Sequence, residues 1–269
     1  MATNHGDAMT PPPDYVPAHG LLAGKSVLIT AAAGGGIGNA TARRVLEEGA
    51  RALMIADIHE RRLNEAVEAL RADFPDAAIA GQLANVTVEE EVQALIEAAE
   101  SHCGGVDLLV NNAGLGGSKR VVDMSDEEWH KVLDVTLTGT FRMTRAMLKR
   151  MQPRGAGAIV NNASVLGWRA QVEQAHYAAA KAGVMALTRC SALEAAEFGI
   201  RINAVAPSIA FHDHLRKTAP AELLEQLASR EAFGRAAEVW EIANCIVMLA
   251  SDYSSYLVGE VLSASSQHP

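Results

Sequence analysis

The chain has 269 residues, 49% of them hydrophobic and only 4% aromatic, with a net charge of −9. Its apolar content can fill the core of one large α/β domain, and the acidic balance disfavours nucleic acid as a partner. No apolar run reaches membrane-spanning length, and the three cysteines, Cys103, Cys190 and Cys245, form no CxxC, which fits a reducing cytoplasm better than a disulfide framework.

The first twenty residues lack an apolar h-region, so they do not read as a secretory signal. Prolines at 11–13 and 17 predict a flexible, extended arm or a segment that packs on a neighbouring subunit. Residues 21–269 read as a single domain. SVLIT (26–30) predicts a buried strand, and Ile37 to Glu48 a helix. ALMIAD (52–57) is the next strand and Glu60 to Ala72 the next helix. A weaker strand near 77–83 precedes a helix from Val88 to His102. VDLLVNN (106–112) is a strand. Ser125 and Glu128 form a capping box that opens a long helix to Met151. GAIVNNAS (157–164) is a strand, Glu173 to Phe198 a helix, and RINAVAP (201–207) a strand stopped by proline. Helical patterns at 220–229 and 238–250 lead to a short strand near 258–263.

Such alternation, with nearly continuous apolar strands, predicts one doubly wound parallel sheet of about seven strands with helices on both faces, a Rossmann-type α/β fold. Ligands of such sheets bind beyond the carboxyl ends of the strands. The glycine turn Gly34–Gly38, Asp57, the run NNAG at 111–114, Ser164 and Pro207 all fall at those ends.

Tyr177 and Lys181, in YAAAK, are four residues apart and share a helix face. A cation beside a phenol favours the phenolate and lowers its pKa. Ser164, 13 residues upstream, can hydrogen-bond an oxygen whose charge changes during reaction. A glycine turn between strand and helix lets backbone N–H groups approach a pyrophosphate. Asp57 ends the second predicted strand, where a carboxylate accepts hydrogen bonds from ribose hydroxyls and repels a 2′-phosphate; NAD is expected over NADP. The rival readings are structural: a tight turn, a helix-capping aspartate, a capping serine, a packed tyrosine and a solvated lysine.

These motifs resemble the short-chain dehydrogenase/reductase family over about residues 22–262. Within it, the runs around NNASVLGWRAQ and LASDYSSYLVGEVLSASSQ resemble actinobacterial reductases of steroid C/D-ring breakdown. Those act on hydroxy- or keto-indane acyl-CoA and are often labelled 3-oxoacyl-carrier-protein reductases. The resemblance implies an oxidoreductase that interconverts a secondary alcohol and a ketone on an apolar acyl-CoA, with a fatty 3-oxoacyl thioester as the neighbouring choice. It also implies a cytoplasmic homotetramer, and Leu133, Leu137 and Phe141 are outer apolar positions for a subunit bundle. Ser164 would hold the substrate oxygen, Tyr177 would exchange the proton, and Lys181 would tune the phenol and bind the nicotinamide ribose.

The same resemblance places Ala33, Gly36, Ile37, Gly38, Asp57, Asn85, Val86, Asn112, Ala113, Gly114, Pro207 and Ile209 around the cofactor. Three departures stand out. The loop TAAAGGGIG (30–38) is one residue longer than the family's usual TGxxxGIG, with alanine for the first glycine. Thr136 replaces the asparagine that holds a relay water, so either it takes the fourth catalytic role or it back-bonds to its own chain. Pro207-Ser208 replaces Pro-Gly, and the threonine of that loop falls near His212. Substrate positions are Leu115, Val165, Trp168, Arg169 and Phe211; Arg169, Lys119, Arg120, Arg216 and Lys217 are candidates for CoA phosphates. His212, Asp213 and His214 are too sparse for a metal site, and no metal is expected. A non-catalytic NAD-binding regulator is the reading from another class; the intact serine, tyrosine and lysine argue against it.

Overall fold

The computed structural model describes residues 10–211 and 221–267. Seven parallel strands form one sheet in the order β3-β2-β1-β4-β5-β6-β9. They are β1 (Ser26–Thr30), β2 (Ala52–Asp57), β3 (Ala78–Leu83), β4 (Leu108–Asn111), β5 (Gly157–Asn162), β6 (Ile200–Pro207) and β9 (Val261–Ala264). The predicted α/β architecture is therefore the observed one. Strand order reverses between β1 and β4, the place where sheets of this kind bind ligands beyond the carboxyl ends of their strands.

Alternation along each strand divides the core. Val27 and Ile29 face one layer with Val45, Leu63, Val67 and Ile246. Leu28 faces the other with Val92, Leu95, Ile96, Met143 and Met147. Helices cover both faces, so every position in β1 is buried and the strand reads as a continuous apolar run. The helices on the first face are α1 (Ile37–Glu47), α2 (Glu60–Asp73) and α8 (Val239–Ala250). Opposite lie α3 (Glu89–Cys103), α5 (Gly139–Met151) and α6 (Ala175–Ala196), while α7 (Ala221–Ser229) follows β7 in the chain.

Two features were not in the sequence reading. Ala210–Phe211 (β7) pairs with Ala237–Glu238 (β8) in a small second sheet. The long helix predicted over 125–151 is also not uniform. Its capping box forms as expected, with α4 spanning Asp126–Leu133, but Asp134–Thr138 is a π-helical turn before α5. Such turns carry one residue too many for α geometry and gather at functional sites. Leu137, expected to face outward, packs inward: a Cβ on Gly183 of α6 would lie 2.7 Å from it. Phe141 does face outward, at 40% exposure.

Residues 1–20 were expected to form a flexible arm. The described part, 10–20, lies along α1 and α8. Tyr15 sets its ring edge on Trp240 at 5.2 Å and donates from its hydroxyl to Glu47 Oε2 at 2.5 Å. The buried Arg44 donates to Val16 O, and buried Glu48 accepts from the His19 and Leu21 amides at 2.9 Å while pairing with Arg44 at 2.7 Å. These bonds offset the desolvation of two buried charges. Among the described residues, no helix is long and apolar enough to cross a membrane.

Candidate active site

The glycine turn runs from the end of β1 into α1. Ala31 takes a left-handed φ of 52°, a conformation that favours glycine. Gly38 admits no side chain, because a Cβ there would sit 2.5 Å from both Ala31 O and Asn112 Nδ2. The Thr30 hydroxyl accepts from the amides of Asn112 and Ala113, at 3.0 and 3.1 Å. Asn112 Nδ2 in turn donates to Ala31 O at 2.9 Å. The ends of β1 and β4 are thus tied around the turn, which explains why NNAG stands where it does. Asp57, at the end of β2, accepts from the Ala33 amide at 3.2 Å and from the His59 amide at 3.1 Å. Its carboxylate is therefore held against the loop at the carboxyl ends of the strands. Beside it Ile58 is exposed, and Arg61 pairs with Glu65 at 2.7 Å.

Ser164 follows the end of β5; its hydroxyl accepts from the Leu166 amide at 3.2 Å and lies close enough to Tyr177 to lower the phenol's pKa. Tyr177 and Lys181 lie one turn apart on α6, with Lys181 Nζ 5.6 Å from the centroid of the tyrosine ring. Lys181 is buried and donates to Asn162 O at 2.5 Å. These contacts bring Ser164, Tyr177 and Lys181 into one cluster at the end of β5 and the start of α6. The electrostatics differ from the sequence expectation in one respect. Burial pushes the Tyr177 phenol above its ordinary value, and the serine hydrogen bond only partly offsets this. The expected depression by lysine does not appear among the causes of the Tyr177 shift, and burial pushes the Lys181 amine itself down to about 8.

A family model described as Enoyl-(Acyl carrier protein) reductase matches residues 31–266. The chain belongs to the short-chain dehydrogenase/reductase family. It is 61% identical to the (5R,7aS)-5-hydroxy-7a-methyl-1-oxo-2,3,5,6,7,7a-hexahydro-1H-indene-carboxyl-CoA reductase of Mycobacterium tuberculosis, over 96% of this chain and 98% of that one. It is 36% identical to a 3-oxoacyl-acyl-carrier-protein reductase of Vibrio cholerae, over 90% and 96%. A short chain dehydrogenase structure from Mycobacterium smegmatis superposes with TM-score 0.86 and 55% identity, covering 97% of this chain and all 100% of that one.

As a short-chain dehydrogenase/reductase, the chain is an oxidoreductase acting between alcohols and ketones, and its departures from the family pattern can be placed. Thr136 is buried in the π-turn. Its hydroxyl accepts from the Leu115 amide at 3.0 Å and donates to the Leu115 carbonyl at 3.2 Å. Neither sequence reading anticipated this clamp on the loop after β4. Asn85 Oδ1 accepts from the amide and hydroxyl of Thr87, as a turn asparagine does, and Val86 packs under Gly139. Pro207 closes β6, and Ile209 O accepts from the Ala237 amide, which commits that carbonyl to the small sheet.

Val165 is buried behind the serine, while Trp168 is 41% exposed at the rim. Arg169 donates to Gln267 Oε1 at 3.1 Å, and Phe211 ends β7. Lys119 pairs with Glu128 at 3.3 Å and Arg120 with Glu173 at 3.7 Å. His212, Asp213, His214, Arg216 and Lys217 lie outside the described residues.

The asparagine pairs are contacts that motif reasoning passed over in part. Asn111 and Asn161 face each other across β4 and β5, with an amide hydrogen bond of 2.9 Å. Asn162 Nδ2 donates to Asn112 Oδ1 at 2.8 Å, while its backbone oxygen holds Lys181. The signal was present: both strands end in Asn-Asn.

Proposed function

We propose that this protein is an NAD-dependent reductase or dehydrogenase of a steroid-derived indane carboxyl-CoA thioester. The observation that carries the chemistry is the meeting of Ser164, Tyr177 and Lys181 beside the glycine turn. The substrate class rests on the 61% identity to the mycobacterial indene-carboxyl-CoA reductase. NAD rests on Asp57, whose carboxylate lies against the loop and would repel a 2′-phosphate, while Arg61 beside it is paired with Glu65. A bound nicotinamide supplies or accepts the hydride.

The protein's own residues do the rest. Ser164 donates to the substrate oxygen and orients it. Tyr177 gives a proton to that oxygen when a ketone is reduced and takes one when an alcohol is oxidised. Lys181 holds the ribose hydroxyls and supplies positive charge below the phenol. Thr136 fixes Leu115 at the pocket edge, and its remaining lone pair can hold a relay water. Ala33, Gly36, Ile37 and Gly38 would receive the pyrophosphate, Asn85 and Val86 would flank the adenine, and Asn112, Ala113, Gly114, Pro207 and Ile209 would border the rest of the cofactor. Leu115, Val165, Trp168, Arg169 and Phe211 surround the substrate. Assembly as a cytoplasmic homotetramer is part of this reading; a monomer by light scattering would refute that part.

The test is a pair of assays with the purified protein. Oxidation or reduction of the indane carboxyl-CoA with NAD(H), well above the rate on acetoacetyl-CoA, is expected. Good turnover of acetoacetyl-CoA with none of the indane thioester would make it a 3-oxoacyl-thioester reductase instead.

A further inference from the structure

The segment after NNAG follows α6 backwards, one glycine per contact. A Cβ on Gly114 would lie 3.4 Å from Lys181 Nζ; on Gly116, 3.9 Å from the Tyr177 ring; on Gly117, 3.0 Å from His176 Nε2. Backbone without side chains therefore passes directly over the two reactive groups. Something must hold so bare a segment in place.

Its inner end is held by Thr136 through Leu115. The outer end is held from the residues that open α6. Glu173 O accepts from the Lys119 amide at 3.0 Å. Its carboxylate accepts from Ser118 Oγ at 2.5 Å and faces Arg120 Nε at 3.7 Å. Gln174 Nε2 donates to Gly117 O at 2.6 Å. Glu173 does this from a left-handed φ of 66°, a backbone state that costs a residue with a Cβ free energy. Non-glycine residues keep such a state where surrounding contacts impose it, often at functional sites. From that conformation its side chain and its carbonyl both reach the same segment.

We propose that Glu173 is a positioning residue which clamps residues 117–120 at the mouth of the Tyr177 site and so sets the fit of the substrate. This rests on the proposed reading that a thioester binds there. Glu173 touches neither Tyr177 nor Lys181 in this arrangement; it acts through the segment it holds.

The experiment compares full-length wild type with Glu173→Ala, Glu173→Gln and Glu173→Gly. Readouts are KM and kcat with the indane thioester, NADH affinity, and hydrogen exchange of the 117–120 amides. In Glu173→Ala, KM is expected to rise about tenfold with kcat within about twofold, because binding is lost while the proton chemistry remains. NADH affinity should not change, and the Lys119 amide should exchange faster. Glu173→Gln keeps an acceptor for Ser118 and should restore most of the KM. Glu173→Gly relieves the backbone but lacks the carboxylate, so its KM should match that of Glu173→Ala. Unchanged KM and exchange in Glu173→Ala, or an equal loss of NADH binding, would overturn the proposal. If wild type turns over no indane thioester, the substrate reading fails, and the exchange rates alone then decide the clamp.

Discussion

Lys181 Nζ donates to the Asn162 carbonyl at 2.5 Å, and this one bond connects the reactive lysine to the cofactor loop. Asn162 hands its side-chain amide to Asn112, and Asn112 hands its own to Ala31 O in the glycine turn. The amine, two strand ends and the turn form one hydrogen-bonded line. A shift in the turn would move the lysine, which gives the loop a role in chemistry as well as in nucleotide binding.

Replacing Tyr177 with Phe removes the hydroxyl proposed to exchange the substrate proton while leaving its ring. Turnover should fall by about 10³-fold, in the range for general acid-base groups. NADH affinity by calorimetry should change little. Substantial residual activity would place the proton transfer elsewhere.

Lys181 yields a stability prediction with a definite sign. Burial lowers its pKa to about 8, so between that pH and its ordinary value the unfolded chain binds more protons than the folded one. Stability from this group therefore rises with pH across that window and is lowest below pH about 8. The full shift corresponds to about 3 kcal/mol. Lys181→Met should raise the melting temperature at pH 6–7, with the gain fading by about pH 10, while activity is lost. A gain independent of pH would contradict the buried charge.

Asp57 holds the loop through Ala33 and faces the space where a ribose would lie. Asp57→Ala removes the carboxylate's repulsion of a 2′-phosphate. The kcat/KM ratio of NAD to NADP should drop at least about tenfold, since that repulsion is worth more than ~1.4 kcal/mol. Steady-state kinetics with both cofactors measures it.

Ala31 occupies a left-handed position, a conformation that favours glycine. The conformation costs about 1–2 kcal/mol for alanine, and glycine pays about 0.5–1 kcal/mol in unfolded-state entropy. Ala31→Gly should therefore stabilise the protein by about 0.5–1 kcal/mol, or raise Tm by about 2 °C. Calorimetry reads the change directly.

Thr136→Val keeps the shape of the side chain and removes both hydrogen bonds to Leu115. Leaving those backbone groups unpaired should cost about 1–3 kcal/mol. Because Leu115 leads into the glycine segment over Tyr177, kcat/KM should fall about tenfold, and Thr136→Ser should recover it. Equal activity in both variants would reduce the threonine to a packing role.

The architecture was legible because period and composition are local. Apolar strands such as SVLIT, amphipathic helices between them, and glycine at a strand-to-helix turn follow from steric and burial rules that act over a few residues. Tyr177 and Lys181 could be paired from helix geometry, and Ser164 from its place at a strand end. The family resemblance then supplied their roles.

Contacts between segments distant in the chain were decided by tertiary packing. Nothing local to DVTLT foretells a π-turn, because the turn arises where Thr136 reaches back to Leu115 and Gly139 presses on Val86. Glu173 looks like a solvated charge until the fold brings residues 117–120 against it. The Tyr177 pKa turns on how deeply the ring is buried, and burial is a sum over many neighbours that spacing alone does not encode. Residue types and their periodicity thus determined the sheet and the reactive trio, whereas long-range packing decided the clamps around that trio and the burial of its amine.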